Sequence, residues 1–161
     1  MAIFLNTPKL NHWIPKLIQE SEKELILVVP YIQTSDNIYE SLQTADKNNV
    51  EITLIYRENK LSEKEKMKLI SLNNLNLLHH PNIHCKCYFN GQLLIVGSMN
   101  LYDYSEINNR EMGVLIHHTS LNQKGEEDDW SCGDDKALFD DAITEIREIV
   151  NGSKIENLRK I

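Results

Sequence analysis

His84-Cys85-Lys86-Cys87-Tyr88-Phe89-Asn90-Gly91-Gln92-Leu93-Leu94-Ile95-Val96-Gly97-Ser98-Met99-Asn100, followed by Asn108-Asn109-Arg110-Glu111, is the stretch whose reading decides the fold. Ile83–Phe89 and Gln92–Val96 read as two strands of a hairpin around Asn90-Gly91, a strong two-residue turn signal. Side chains alternate along a strand, so His84 and Lys86 are expected on one face and Cys85 and Cys87 on the other. Gly97-Ser98 ends the second strand with a sharp turn, which brings Ser98 and Asn100 back beside the start of the first. An imidazole, an ammonium, a hydroxyl and a carboxamide then share one end of a sheet. A nucleophile or base beside a fixed cation and two hydrogen-bonding groups suits anionic phosphoryl chemistry. A buried hairpin with incidental polar residues accounts for any one of these side chains, but not for the set at this spacing.

A chain of 161 residues is one domain in size and long enough to bury a core. We read residues 1–151 as a single domain and 152–161 as a tail. With 41% hydrophobic and 25% charged residues the composition is that of an ordinary globular protein. No apolar run reaches the length of a membrane span, and Met1-Ala2-Ile3-Phe4 lacks the basic and apolar regions of a signal peptide. Three cysteines without framework spacing imply reduced thiols and a cytoplasmic setting. Of the net charge of −7, residues 119–161 carry −5 and the rest −2. The acidity belongs mainly to the C-terminal part, and no broad basic footprint promises tight electrostatic binding to a duplex.

In chain order, Thr7-Pro8 and Asn11 are helix-start signals, with Trp13, Ile14, Leu17 and Ile18 at helical spacing. Pro15 belongs in a first turn, so a helix is expected from Asn11 to Glu22. Glu24–Ile32 reads as a central strand covered on both faces, and Ser35 or Asp36 as the cap of a helix lined by Ile38, Leu42 and Ala45. Val50–Tyr56 is the next strand, implying a parallel crossover. Ser62 with Glu65 forms a capping box opening a helix with Met67, Ile70 and Leu72 inward, before a short strand at Leu75–His79. After the hairpin, residues 101–110 read as loop or short helix and Glu111–His117 as a strand. Asn122–Gly133 is an acidic loop. Asp134 or Asp135 caps a last helix carrying Leu138, Ala142, Ile146 and Ile149, which Gly152 ends. The fold class is α/β (α+β), a mixed sheet sandwiched between helices.

His84-x-Lys86, then Gly97-Ser98-x-Asn100 and Glu111, resembles the HxK signature of the phospholipase D superfamily, most closely its single-motif nucleases. The resemblance covers His84–Ile116 strongly; the helix and strand order before it, with Leu27–Tyr31 (Leu-Val-Val-Pro-Tyr), also looks like that family. The last forty-odd residues match only in containing a terminal helix. The resemblance implies a phospholipase D-like fold and a metal-independent phosphodiesterase, an endonuclease hydrolysing DNA or RNA through a phosphohistidine. His84 would be the nucleophile, Lys86 would neutralise a non-bridging phosphate oxygen, and Asn100 would donate to the same phosphate with Ser98 fixing its geometry. Glu111 would accept from the far ring nitrogen of His84. No cofactor or metal enters this scheme.

The family uses two such motifs facing each other, and this chain has one. His12, His79, His80, His117 and His118 all lack the Lys and Gly-Ser-x-Asn that follow His84. A symmetric homodimer would supply the second His84 as general acid. The family often carries an Asp a few residues after the Lys; here Asn90-Gly91 stands in that region, where a turn or network role is expected. Two other readings share parts of the evidence. A phospholipid hydrolase would use the same site chemistry, but the interfacial helix it calls for is not visible. A catalytically weak member would serve as a nucleic-acid-binding or dimerisation module. Zinc at His79, His80, His84, Cys85 and Cys87 has spacing unlike finger patterns and thiols facing away from His84. Cys132 beside Trp130 reads as a surface thiol, and Glu126–Asp129, Asp134-Asp135 and Asp140-Asp141 as solvated faces.

Overall fold

A computed structural model describes residues 2–102, 107–117 and 134–160, with side chains from 136 onward in the last stretch. The elements run β1 (Ala2–Asn6), α1 (Thr7–Gln19), β2 (Glu24–Val28), β3 (Ile32–Gln33), α2 (Asp36–Lys47), β4 (Glu51–Arg57) and α3 (Glu63–Ile70). They continue as β5 (Leu75–His80), β6 (Lys86–Phe89), β7 (Leu93–Gly97), β8 (Leu101–Tyr102), β9 (Met112–His117), α4 (Asp134–Asn151) and β10 (Lys154–Asn157). Eight strands form one sheet in the order β1-β9-β7-β6-β2-β4-β5-β10, and β3 pairs with β8 in a separate parallel ribbon. The apolar β2 and β4 lie at the centre, with β2, β4 and β5 parallel and the remaining pairs antiparallel.

Each sheet face has its own core. Leu10, Ile14 and Leu17 of α1, Ile38 and Leu42 of α2, and Leu69 of α3 pack on one face with Leu27, Leu54 and Tyr88. Phe139 and Ile146 of α4 pack on the other against Ile26, Val28, Cys87 and Phe89. Each fully buried Leu or Ile contributes about 1.5–3 kcal/mol relative to exposure. The mixed sheet between helical layers expected from the sequence is therefore the observed architecture.

Several boundaries differ. α1 starts at Thr7, with Asn6 as its cap (Oδ1 accepts from the Lys9 amide, 3.1 Å) and Pro8 in the first turn. Pro15 lies inside it, where it removes one intrahelical bond. Burial of Leu10, Ile14, Leu17 and Ile18 on both sides of Pro15 carries the helix through that loss. The segment after Gly152 is not a loose tail, because β10 pairs antiparallel with β5. Met67 (62%) and Leu138 (50%) are exposed, and Leu69 and Phe139 take the inward positions instead. Ser62 caps α3 by accepting from the Glu65 amide (3.2 Å). The buried Glu65 carboxylate turns away to accept from Thr34 N (3.1 Å) and Oγ1 (2.7 Å), so the box is not reciprocal. Residues 101–102 are strand β8. The acidic loop, Trp130, Cys132 and His118 lie outside the described residues.

The hairpin turn also sits one residue later than the Asn-Gly signal suggests. Phe89 pairs with Leu94 and the Asn90 amide donates to Leu93 O (3.2 Å), so Gly91 and Gln92 are the central residues. Gly91 has φ +97°, as the first position of a type II′ turn requires. Asn90 is buried and satisfied on both sides of its amide: Oδ1 accepts from Gln92 N (3.0 Å) and Leu93 N (2.8 Å), and Nδ2 donates to Leu17 O (3.0 Å). A carboxylate there could not make the last bond.

Two glycines face each other across β7 and β9, Gly97 opposite Gly113. A Cβ on Gly97 would lie 2.6 Å from Met112 O and 2.9 Å from Gly113 Cα, both backbone atoms. One on Gly113 would lie 2.9 Å from Leu10 Cδ2, a movable side-chain end. Gly97→Ala is therefore expected to cost about 1–3 kcal/mol in urea unfolding and Gly113→Ala less; equal, negligible losses would show that the strands are not this close.

Candidate active site

The end of the sheet that gathers the candidate residues follows from strand direction. β2 runs upward to Val28, and antiparallel β6 enters from that end, since Cys87 pairs with Val28. Lys86 pairs with Gly97, so the end of β7 is brought to the start of β6, at the carboxyl ends of the parallel strands. That is where open α/β sheets bind ligands. β9 starts and β1 ends there too, because Asn6 pairs with Met112.

His84 is exposed just before β6, and Lys86 is 9% exposed. The Lys86 ammonium donates to His84 O (2.7 Å) and lies 3.4 Å from His84 Nε2. An ammonium can only donate, so the ring nitrogen facing it is the one that carries the lone pair, with the proton on Nδ1. Both partners of this buried cation are neutral acceptors. Among the described residues no carboxylate forms an ion pair with it, which leaves its charge available to an incoming anion.

Asn100 is held through its carbonyl: Oδ1 accepts from the Tyr31 amide (3.4 Å), which leaves Nδ2 as its donor. Ser98 is tied to the start of β9. Its amide donates to Met112 O (3.0 Å), its Oγ accepts from Met112 N (3.1 Å), and its hydroxyl donates to Glu111 Oε2. Glu111 Oε1 accepts from Asn109 Nδ2 (3.2 Å). The expected bond from His84 to Glu111 is not made among the described residues; the Gly97 turn puts Ser98, not the imidazole, beside this carboxylate.

Sequence reasoning missed Thr7. Its Oγ1 accepts from the Glu111 amide (2.7 Å) and is 3.3 Å from the carbonyls of Glu111 and Asn109, locking residues 109–111 to the first turn of α1. The signal was present in Asn6-Thr7-Pro8, a cap followed by a first-turn Pro. Tyr88 was also missed; its hydroxyl donates to Met99 O beneath the turn. The zinc candidates do not gather: His79 lies 3.9 Å from both Glu58 and Glu156, and no three His, Cys, Asp or Glu side chains converge among the described residues.

Cys85 is exposed and Cys87 buried on the α4 side of the strand. The hydrogen bond from Cys87, helped by the Lys86 charge, outweighs burial and brings the Cys85 thiol down to about 7, while bonding to Cys85 and burial push Cys87 up. The thiolate is the reactive form, so alkylation of Cys85 should rise with pH through about 7. Peptide mapping after iodoacetamide treatment at several pH values checks this; a midpoint at the ordinary thiol value, or equal labelling of Cys87, would refute the pairing.

The family model described as "Cardiolipin synthase, PLD-like domain" matches residues 14–129. No curated protein matches the chain by sequence. Among solved structures, the phospholipase D family member Nuc from Salmonella typhimurium superposes with a TM-score of 0.73 at 15% identity, covering 98% of each chain. NucT from Helicobacter pylori gives 0.72 at 11% identity, covering 95% of this chain and 97% of that one. TrmBL2, an archaeal chromatin protein described as showing a novel mode of DNA binding, gives 0.58 at 14% identity over 91% of this chain and 52% of its own. These structural likenesses establish the fold, and the family model spans well over half of the sequence, so the chain belongs to the phospholipase D superfamily.

Proposed function

We propose that the chain is a metal-independent phosphodiesterase that cleaves nucleic acid, working as a homodimer. The observation that carries this reading is the buried Lys86 ammonium, which has no carboxylate partner among the described residues and is set 3.4 Å from the ring nitrogen of His84. A cation out of water with no carboxylate partner among the described residues is costly, and a phosphate oxygen taken by Lys86 and the Asn100 amide would offset that cost.

In this scheme the His84 Nε2 lone pair attacks phosphorus while the P–O bond to the leaving strand breaks, forming a phosphohistidine. The leaving oxygen takes its proton from the partner's His84, which enters this step as the imidazolium and leaves it as the neutral imidazole. Water then attacks phosphorus, gives a proton to that imidazole, and frees His84 as the P–N bond breaks. Ser98, Glu111, Asn109 and Thr7 act together in holding the floor of the site, and Glu111 acts on the histidine only through that frame.

Nucleic acid is favoured over phospholipid by the resemblance of the single His84-x-Lys86 motif to the superfamily's single-motif nucleases. The structurally similar TrmBL2 is described as binding DNA. The lipid reading is supported by the description of the family model, cardiolipin synthase, and by the likeness to a phosphatidylserine synthase from Haemophilus influenzae, with a TM-score of 0.63 at 16% identity over 96% of this chain and 39% of that one.

Cleavage of labelled single- and double-stranded DNA and RNA should survive EDTA and fall about a thousandfold or more in His84→Ala and Lys86→Ala. A strict requirement for added metal would overturn the mechanism; turnover confined to phospholipid vesicles would replace nucleic acid by lipid as the substrate.

A further inference from the structure

The β3–β8 ribbon stands beside Asn100 and has one buried face and one open one. Ile32 and Leu101 pair with each other and are 4% and 1% exposed, fixing the inner face. Alternation puts their neighbours outside: Tyr31 and Tyr102 are 36% and 37% exposed, and Gln33, paired with Tyr102, is exposed as well. Tyr31 also stands next to the phosphate-facing side chain, since its amide bonds Asn100 Oδ1 at 3.4 Å. The outer face therefore carries, from the site outward, Asn100 and Tyr31, then Tyr102 and Gln33.

This face is held firmly. Thr34, the residue after β3, bonds the buried Glu65 carboxylate through N (3.1 Å) and Oγ1 (2.7 Å), and the Lys68 ammonium reaches its Oγ1 (2.9 Å) and carbonyl (3.2 Å). Two aromatic rings on a pinned ribbon lose little freedom when a flat ligand stacks on them. The sequence has no broad basic footprint, so few Lys and Arg are at hand to release the counter-ions of a polyanion. Affinity for nucleic acid then has to come from contacts that do not depend on net charge, and base stacking is the main one.

We infer that the outer face of the β3–β8 ribbon is a nucleobase subsite, on which Tyr31 and Tyr102 stack bases flanking the phosphate held at Asn100 and Lys86. Gln33 offers a donor and an acceptor to a base edge. Paired bases in a duplex keep their faces covered, so the subsite selects single strands. This rests on the nucleic-acid reading above and narrows it from nucleic acid in general to single-stranded substrate.

The test compares wild type with Tyr31→Leu/Tyr102→Leu and with the Trp replacements, on a labelled single-stranded oligonucleotide and on an abasic strand of the same length, whose phosphodiesters carry no base. The Leu pair should raise KM for the oligonucleotide by about tenfold more than for the abasic strand. That difference should persist when salt is raised from about 50 to about 200 mM, and the Trp pair should restore it. An equal loss on both substrates, or no change on the oligonucleotide, overturns the subsite. If wild type hydrolyses no phosphodiester, the enzymatic reading fails by itself, and fluorescence anisotropy of the same oligonucleotide decides the subsite. Binding about tenfold weaker in the Leu pair supports it; equal binding, or none by wild type, overturns it.

Discussion

At Gly97 the backbone of β7 comes so close to Met112 that a side chain has no room, since a Cβ would lie 2.6 Å from the Met112 carbonyl. The site is arranged by that approach. It puts the Ser98 hydroxyl within reach of Met112 N and Glu111, and it turns the chain so that Met99 is buried and Asn100 meets the Tyr31 amide. Gly113 across the ladder lets Leu10 pack tightly, and with it the first turn of α1, whose Thr7 hydroxyl closes the frame on the Glu111 amide. Residues distant in sequence, Thr7, Ser98 and Glu111, are thereby one hydrogen-bonded unit beside the His84–Lys86 pair.

The electrostatics of the chain and of the site point in different directions, and the local term decides. Most of the net charge of −7 comes from residues beyond 118, while the candidate site buries the Lys86 ammonium with no carboxylate partner among the described residues. Over several ångströms of water and salt the overall charge is screened, whereas Lys86, removed from water, acts at full strength on a phosphate in contact with it. An acidic protein can in this way handle a polyanion, provided that its grip on the substrate rests on stacking and hydrogen bonds.

Much of this was legible in the residues. The hydrophobic runs at 24–28 and 51–57, and the His84-x-Lys86 and Gly-Ser-x-Asn spacing, gave the sheet, the hairpin and the residues that gather at its end. What was not legible depended on pairing between distant segments. β1 and β10 are short edge strands without clear alternation, and each becomes a strand only by pairing with β9 or β5. The partner of Glu111 is Ser98 because of cross-strand register, which no local spacing reveals. α1 was displaced toward its C-terminus because Pro15 argues locally against a helix interior, while burial of Leu10 and Leu17 overrides it. The thiols, by contrast, were placed correctly by alternation alone, with Cys87 in the α4-side core.

On the proposed mechanism one chain supplies half of a site. The most direct measurement is specific phosphodiesterase activity against chain concentration, with the monomer–dimer equilibrium followed by sedimentation in the same buffer. Activity per chain is predicted to fall in proportion to the dimer fraction on dilution. A monomer that keeps full activity per chain would contradict the account.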